Sequence, residues 1–118
     1  MQNKAMQEFK AGIFQALAHP TRVAIVEILR DGEFSAGAIL DQLGLEQANV
    51  SQHLAVLRGK GIVSSRKDGN QVFYSLKHLM LLEVLEIMRQ YFMSHLAESA
   101  ELLQALEIEE SAAADDMN

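Results

Sequence analysis

The sequence predicts a mainly α-helical domain carrying one small β-hairpin, and three observations predict it. Apolar residues recur at helical spacing from Met6 to Leu57 and again from Leu79 to Leu106. Two runs rich in β-branched and aromatic residues, "IVSSRK" and "QVFYSL", are separated only by "DGN", which reads as two strands and a turn. With 118 residues, 49% hydrophobic and 22% charged, the chain has an ordinary globular composition and the length for one core, hardly two.

Each element follows from local signals. Met6, Phe9, Ile13, Phe14 and Leu17 repeat at helical spacing, weakened by about 1 kcal/mol at Gly12 relative to Ala, and predict a first helix ending near His19. Pro20 suits a helix's first turn, where its missing N–H costs nothing, and Gly32 suits the position after its end; a second helix is expected over about 20–30. His19 then serves packing or capping at the junction. Ser35 is a fitting N-cap for "AGAILDQLG", closed by Gly44, and Gln47 opens a fourth helix three residues later. Two helices joined by a short turn containing Gly form a helix-turn-helix unit. The hairpin follows, and then a final helix from Lys77 to about Leu106, with His78 at its start. Residues 1–107 are expected to form the domain, and the acidic, low-complexity segment 108–118 to fray or be disordered.

The formal charge of −6 is unevenly spread. Residues 101–118 hold six acids and no base, while residues 1–100 hold ten of each sign. Between Gln47 and Lys67 stand Arg58, Lys60, Arg66 and Lys67 with no acid. Polyanion binding depends on such a local field rather than on the total.

The fourth helix carries the most information. At 100° per residue Val50, Leu54 and Leu57 point one way; Ala48, Gln52 and Ala55 lie opposite, flanked by Asn49 and Ser51. A surface of small and amide side chains without acids suits insertion between phosphate walls. Gln and Asn can bond adenine bidentately, Ser can bond either way, and Ala can pack on a thymine methyl. Arg66, Lys67, Asn70 and Gln71 surround the hairpin turn and suit the sugar-phosphate backbone or an adjacent minor groove, and Arg58 and Lys60 add phosphate contacts. The expected DNA-facing set is therefore Gln47, Ala48, Asn49, Ser51, Gln52, His53, Arg58, Lys60, Arg66, Lys67, Asn70 and Gln71. His53 lies at the rim of the buried stripe, where a structural role fits better than direct base contact.

In order and spacing, "FQALAHPTRVAIVEILRDG", "LGLEQANVSQHLAVLRGKGIV" and "RKDGNQVFYSL" resemble the ArsR/SmtB family of bacterial winged helix-turn-helix repressors over roughly residues 9–90. The resemblance implies five helices with the two-stranded wing between the fourth and fifth. It implies a homodimer through the first and last helices, binding an inverted-repeat operator until a signal relieves repression. Phe9, Ile13, Phe14, Leu82, Leu85, Met88, Phe92 and Leu96 are the expected interface residues. The final helix is apolar on more than one side, through Met80, Leu81, Val84, Ile87 and Met93 as well, and so small a chain can hardly bury such a helix alone.

Many members of that family sense metals, and here the chain departs from them. One family site uses cysteines in the region matching Gly32–Leu40, and the chain contains no Cys. The other pairs an Asp-x-His on the last helix with a His-x-x-Glu; His95 and Glu98 form the second, but Leu82 and Val84 occupy the positions of the first. His95 and Glu98 are the candidate ligands, better read as a solvated pair, and no metal or other cofactor is expected. The methionines Met80, Met88 and Met93 fall at helical spacing and suit packing.

The expected function is a dimeric, sequence-specific repressor of double-stranded DNA, with an inducer the sequence does not reveal. The competing reading is a winged-helix protein-interaction module without DNA binding. An enzyme is not expected: no phosphate-binding loop, H-E-x-x-H or nucleophile elbow is present. No signal segment and no apolar run of the ~20 residues needed to span a bilayer is found, so the expected location is the cytoplasm.

Overall fold

The computed structural model describes residues 3–116. Helix α1, Lys4–Leu17, is capped by the Asn3 side chain, which accepts from the Met6 amide at 3.1 Å. It stops short of His19 because Pro20 forces the residue before it into extended backbone (φ −155°, ψ 132°). His19 thereby becomes the N-cap of α2, Pro20–Ile28, its Nδ1 accepting from the Thr21 amide at 3.0 Å. One 3₁₀ turn, Leu29–Asp31, ends the segment, and Gly32 turns the chain with φ +122°.

The residues after Glu33 add an element to the sequence reading. Phe34–Ser35 form a strand, β1, that the periodicity did not announce, since two residues cannot show alternation. Ser35 does double duty, capping α3, Ala36–Leu43, through its Oγ, which accepts from the Ala38 amide at 3.1 Å. Gly44 closes α3 in the left-handed region (φ +64°), its amide donating to the Leu40 carbonyl. After Leu45 and Glu46 comes α4, Gln47–Gly59.

The wing consists of β2, Val63–Asp68, and β3, Gln71–Leu76, paired antiparallel from Val63↔Leu76 to Asp68↔Gln71. Only Gly69 and Asn70 lie between the last paired residues, and Gly69 supplies the positive φ (+61°) that the tight loop requires. β1 adds to the other edge of β3 through Phe34↔Tyr74 and Ser35↔Phe73, giving the sheet order β1-β3-β2. The observed wing is thus one edge of a three-stranded sheet.

A single core holds these elements. Ile25, Val26 and Leu29 after α1's Ala16 and Leu17, Ile39 from α3, Val50, Leu54 and Leu57 from α4, and Ile62 and Val63 at the entry to β2 are all buried. Each large one contributes about 1.5–3 kcal/mol relative to exposure. α2 packs against α1, α3 and α4, so it is the central strut on which α4 rests.

Helix α5, Leu81–Asp116, begins later and ends later than expected. Residues 77–80 form a turn in which the His78 carbonyl accepts from the Leu81 amide. The helix continues through residues 108–116, where an irregular tail was expected. Ala112 to Ala114 and the glutamates before them are strong helix formers and outweigh the low complexity. By internal contacts the chain forms two compact units, one ending at Leu82 and the other, which is α5 apart from its first residues, beginning at Glu83.

Candidate nucleic-acid interface

The α3–α4 pair presents the fourth helix as the sequence pattern requires. Val50, Leu54 and Leu57 are 1%, 2% and 0% exposed, while Gln47, Ala48, Asn49, Ser51, Gln52 and Ala55 are all exposed. The first turn of α4 carries no acid, and no side chain caps its amides, leaving the positive end of the helix dipole open beside that surface. Glu46, immediately before, is the N-cap residue.

The helix and the wing tip share a concavity. Gln47 at the start of α4, Asn70, Gln71 and Val72 from the hairpin, Ser35 at the end of β1, and Ala36, Gly37 and Leu40 from α3 line one groove of about 410 Å³. Three amide side chains from two elements therefore border one recess, of a chemistry that suits a polar, hydrogen-bonding partner.

The cations are less alike than their sequence suggested. Arg66 and Lys67 are adjacent in β2 and so project from opposite faces of the ribbon. Arg66 stands opposite Phe73, its guanidinium 4.7 Å from the ring centroid. It donates to both carboxylate oxygens of Glu33, Nε to Oε2 at 2.8 Å and Nη2 to Oε1 at 2.6 Å, and lies 3.8 Å from Asp68. The hydrogen bonds from Arg66 hold the Glu33 carboxyl below its usual range and raise the guanidinium's own affinity for its proton. Lys67 and Arg58 are exposed. Lys60 leans across α1: a Cβ added at Gly12 would sit 3.3 Å from its Nζ.

His53 is half-buried and faces inward, toward α2 rather than outward. Its Nδ1 lies 3.2 Å from Arg22 Nη1, and its ring centroid 4.2 Å from that of His19. Burial, then the neighbouring His19 and Arg22, push its pKa down. Arg22 and Glu33 are two residues at this site that sequence reasoning missed. Both act through partners 31 and 33 positions away, a separation that no local periodicity records.

The residues expected at the dimer interface belong to surfaces left open. Phe9 and Phe14 of α1 are 68% and 56% exposed; Met88, Phe92 and Leu96 of α5 are also exposed, with Ile87, Tyr91 and Met93 beside them. Ile13, Leu82 and Leu85 are half-buried. His95 and Glu98 are exposed on α5, and among the described residues no three His, Cys, Asp or Glu side chains converge as a metal site would need. No helix among them is long and apolar enough to cross a membrane.

Residues 17–66, the stretch from the end of α1 through Arg66, match the model of a helix-turn-helix domain family. Over 107 residues the chain is 36% identical to the uncharacterized HTH-type transcriptional regulator Rv0081 of Mycobacterium tuberculosis, covering 90% of this chain and 94% of that one. This chain belongs to the ArsR/SmtB family of winged helix-turn-helix transcriptional regulators. The crystal structure of Rv0081 superposes with a TM-score of 0.73, covering 83% of this chain and 99% of the other. That of the transcriptional repressor BigR from Xylella fastidiosa superposes with a TM-score of 0.66 at 34% identity, covering 78% and 97%. The transcriptional activator HlyU of Vibrio cholerae is 35% identical over 80 residues, 68% of this chain and 74% of that one. As a member of this family the chain is a DNA-binding transcriptional regulator.

Proposed function

We propose that two copies of this chain bind one inverted-repeat operator and repress transcription by occupying promoter DNA. The observation that carries the reading is the exposed, acid-free face of α4 held on three fully buried residues, with the wing-tip amides bordering the same groove. In this reading Gln47, Asn49, Ser51 and Gln52 meet base edges in the major groove, with Ala48 against a thymine methyl. Lys67 and Arg58 hold phosphates, Asn70 and Gln71 reach the backbone or the adjacent minor groove, and Lys60 contributes at the end of α4. Arg66 reaches phosphate only by sharing or leaving Glu33, so its main part is to tie β2 of the wing to Glu33.

The apolar surfaces of α1 and α5 are the natural contact between copies. Phe9 and Phe14, with Met88, Phe92 and Leu96, are too exposed for a lone soluble subunit. Two-fold pairing sets the recognition helices about 34 Å apart, one turn of DNA. BigR is named a repressor and HlyU an activator; simple occlusion needs only the surface described here, and repression is accordingly the simpler outcome. The chain carries out no chemistry in this role, needs no cofactor and works in the cytoplasm; its inducer is open.

An electrophoretic shift with the duplex upstream of its own gene, at two salt concentrations, tests the proposal. A shift that weakens steeply with salt and is reduced in Lys67→Ala supports it; no shift at micromolar protein replaces it with a protein-interaction module.

A further inference from the structure

We infer that Arg22 is a positioning residue for the recognition helix, clamping α4 to the end of α1 through the unprotonated Nδ1 of His53, so that a proton taken up by His53 loosens operator binding. This inference rests on the DNA-binding reading. Arg22 stands in the first turn of α2 and spends its donors on two other elements: Nε on the Ala16 carbonyl at 2.5 Å, Nη2 on the Gln15 carbonyl at 3.3 Å, and Nη1 on His53 Nδ1 at 3.2 Å. The two carbonyls are at the last turn of α1, where helical hydrogen bonding runs out, and the Gln15 carbonyl also accepts from the Ala18 amide at 3.2 Å. His53 lies one residue from Gln52 and one from the buried Leu54, so whatever fixes its ring fixes the rotation of the exposed face of α4.

The chemistry of the contact is one-sided. A guanidinium has donors only, so Nδ1 of His53 must be the acceptor and the ring's proton sits on Nε2. Protonation removes that acceptor and places a second positive charge against the guanidinium. His19, its ring tilted against that of His53 with centroids 4.2 Å apart, cannot offset it, because its own Nδ1 already accepts from the Thr21 amide. Of the elements packed on α4, α1 offers only carbonyls here, α2 and its cap offer Arg22 and His19, and of the two cations of β2 Arg66 is held by Glu33 while Lys67, on the opposite face of the ribbon, is exposed. Among the described residues no acid pairs with this cluster. Burial and both neighbours already disfavour the charged ring.

The decisive comparison is His53→Asn, whose side-chain oxygen can take the place of Nδ1 but does not titrate, with Arg22→Lys as the conservative loss of the three-way fork. Binding to a fluorescein-labelled duplex from upstream of its own gene is followed by anisotropy from pH 8 to pH 5 at fixed salt. The wild type is expected to weaken by about tenfold or more relative to His53→Asn as pH falls, the scale of one charged hydrogen bond turned repulsive. Arg22→Lys is expected to bind weakly already at pH 8 while melting as a folded protein, since a single ammonium cannot serve three acceptors. Parallel pH profiles for wild type and His53→Asn, or unchanged binding in Arg22→Lys, overturn the inference. Absence of binding by every form at every pH overturns the DNA-binding reading itself, and the inference with it.

Discussion

Arg66 grips Glu33 with two hydrogen bonds, at 2.8 and 2.6 Å, and thereby ties the outer strand of the wing, β2, to the residue before β1. The pair changes the electrostatics that the chain order suggests. The acid-free stretch from Gln47 to Lys67 carries four cations in sequence, but in space one of them faces a carboxylate. Glu33→Gln is therefore expected to release one positive charge toward DNA. In a plot of log K against log[salt] the slope should steepen by about one unit. An unchanged slope would mean that Arg66 leaves Glu33 on binding anyway.

Lys67 and Gln52 are expected to behave differently when removed. Lys67→Ala should weaken all duplexes alike and lower the salt slope by about one, whereas Gln52→Ala should relax preference at one base pair by about 1–3 kcal/mol. Competition binding with single-base operator variants separates the two, and identical behaviour would contradict the roles assigned.

The support of α4 is expected to be costly to disturb. Leu57 is fully buried, and Leu57→Ala should destabilise the fold by about 2–5 kcal/mol through lost transfer energy and the cavity left behind. Urea denaturation measures this. A loss below about 1 kcal/mol, the range of exposed sites, would place Leu57 outside the core.

Stability should also depend on pH through His53. Its pKa is lower in the folded chain than its ordinary value, so the unfolded chain binds the proton more readily and acid favours unfolding. The contribution is complete above the unfolded value, about 6.5, and is lost as pH falls through the depressed folded one. Urea midpoints at pH 7.5 and pH 5 are expected to differ more for the wild type than for His53→Asn.

Much of this arrangement was legible in the residues. Pro20, Ser35 and Gly44 mark helix boundaries by chemistry that local sequence dictates, and Val50, Leu54 and Leu57 fall on the buried side that the helical period assigns them. What escaped depended on distant pairing. β1 is two residues long and shares Ser35 with a helix cap, so only the edge of β3 reveals it. With it came Glu33, and with α2 came Arg22, which along the chain is an unremarkable part of "HPTR". The extension of α5 to Asp116 was hidden by treating acidity as disorder, although Ala and Glu favour a helix. His53, placed at the rim of the buried stripe with a structural role preferred to base contact, meets Arg22.

The separation of the two recognition helices tests the dimeric reading most directly. The chain has no cysteine, so Val56→Cys, on an exposed position of α4 beyond the turns assigned to base contact, accepts a single spin label per copy. Pulsed dipolar spectroscopy on the operator-bound protein should give one distance centred near ~34 Å, the spacing of successive major grooves on one side of the duplex. No dipolar modulation, or a distance that matches no whole number of DNA turns, would contradict it.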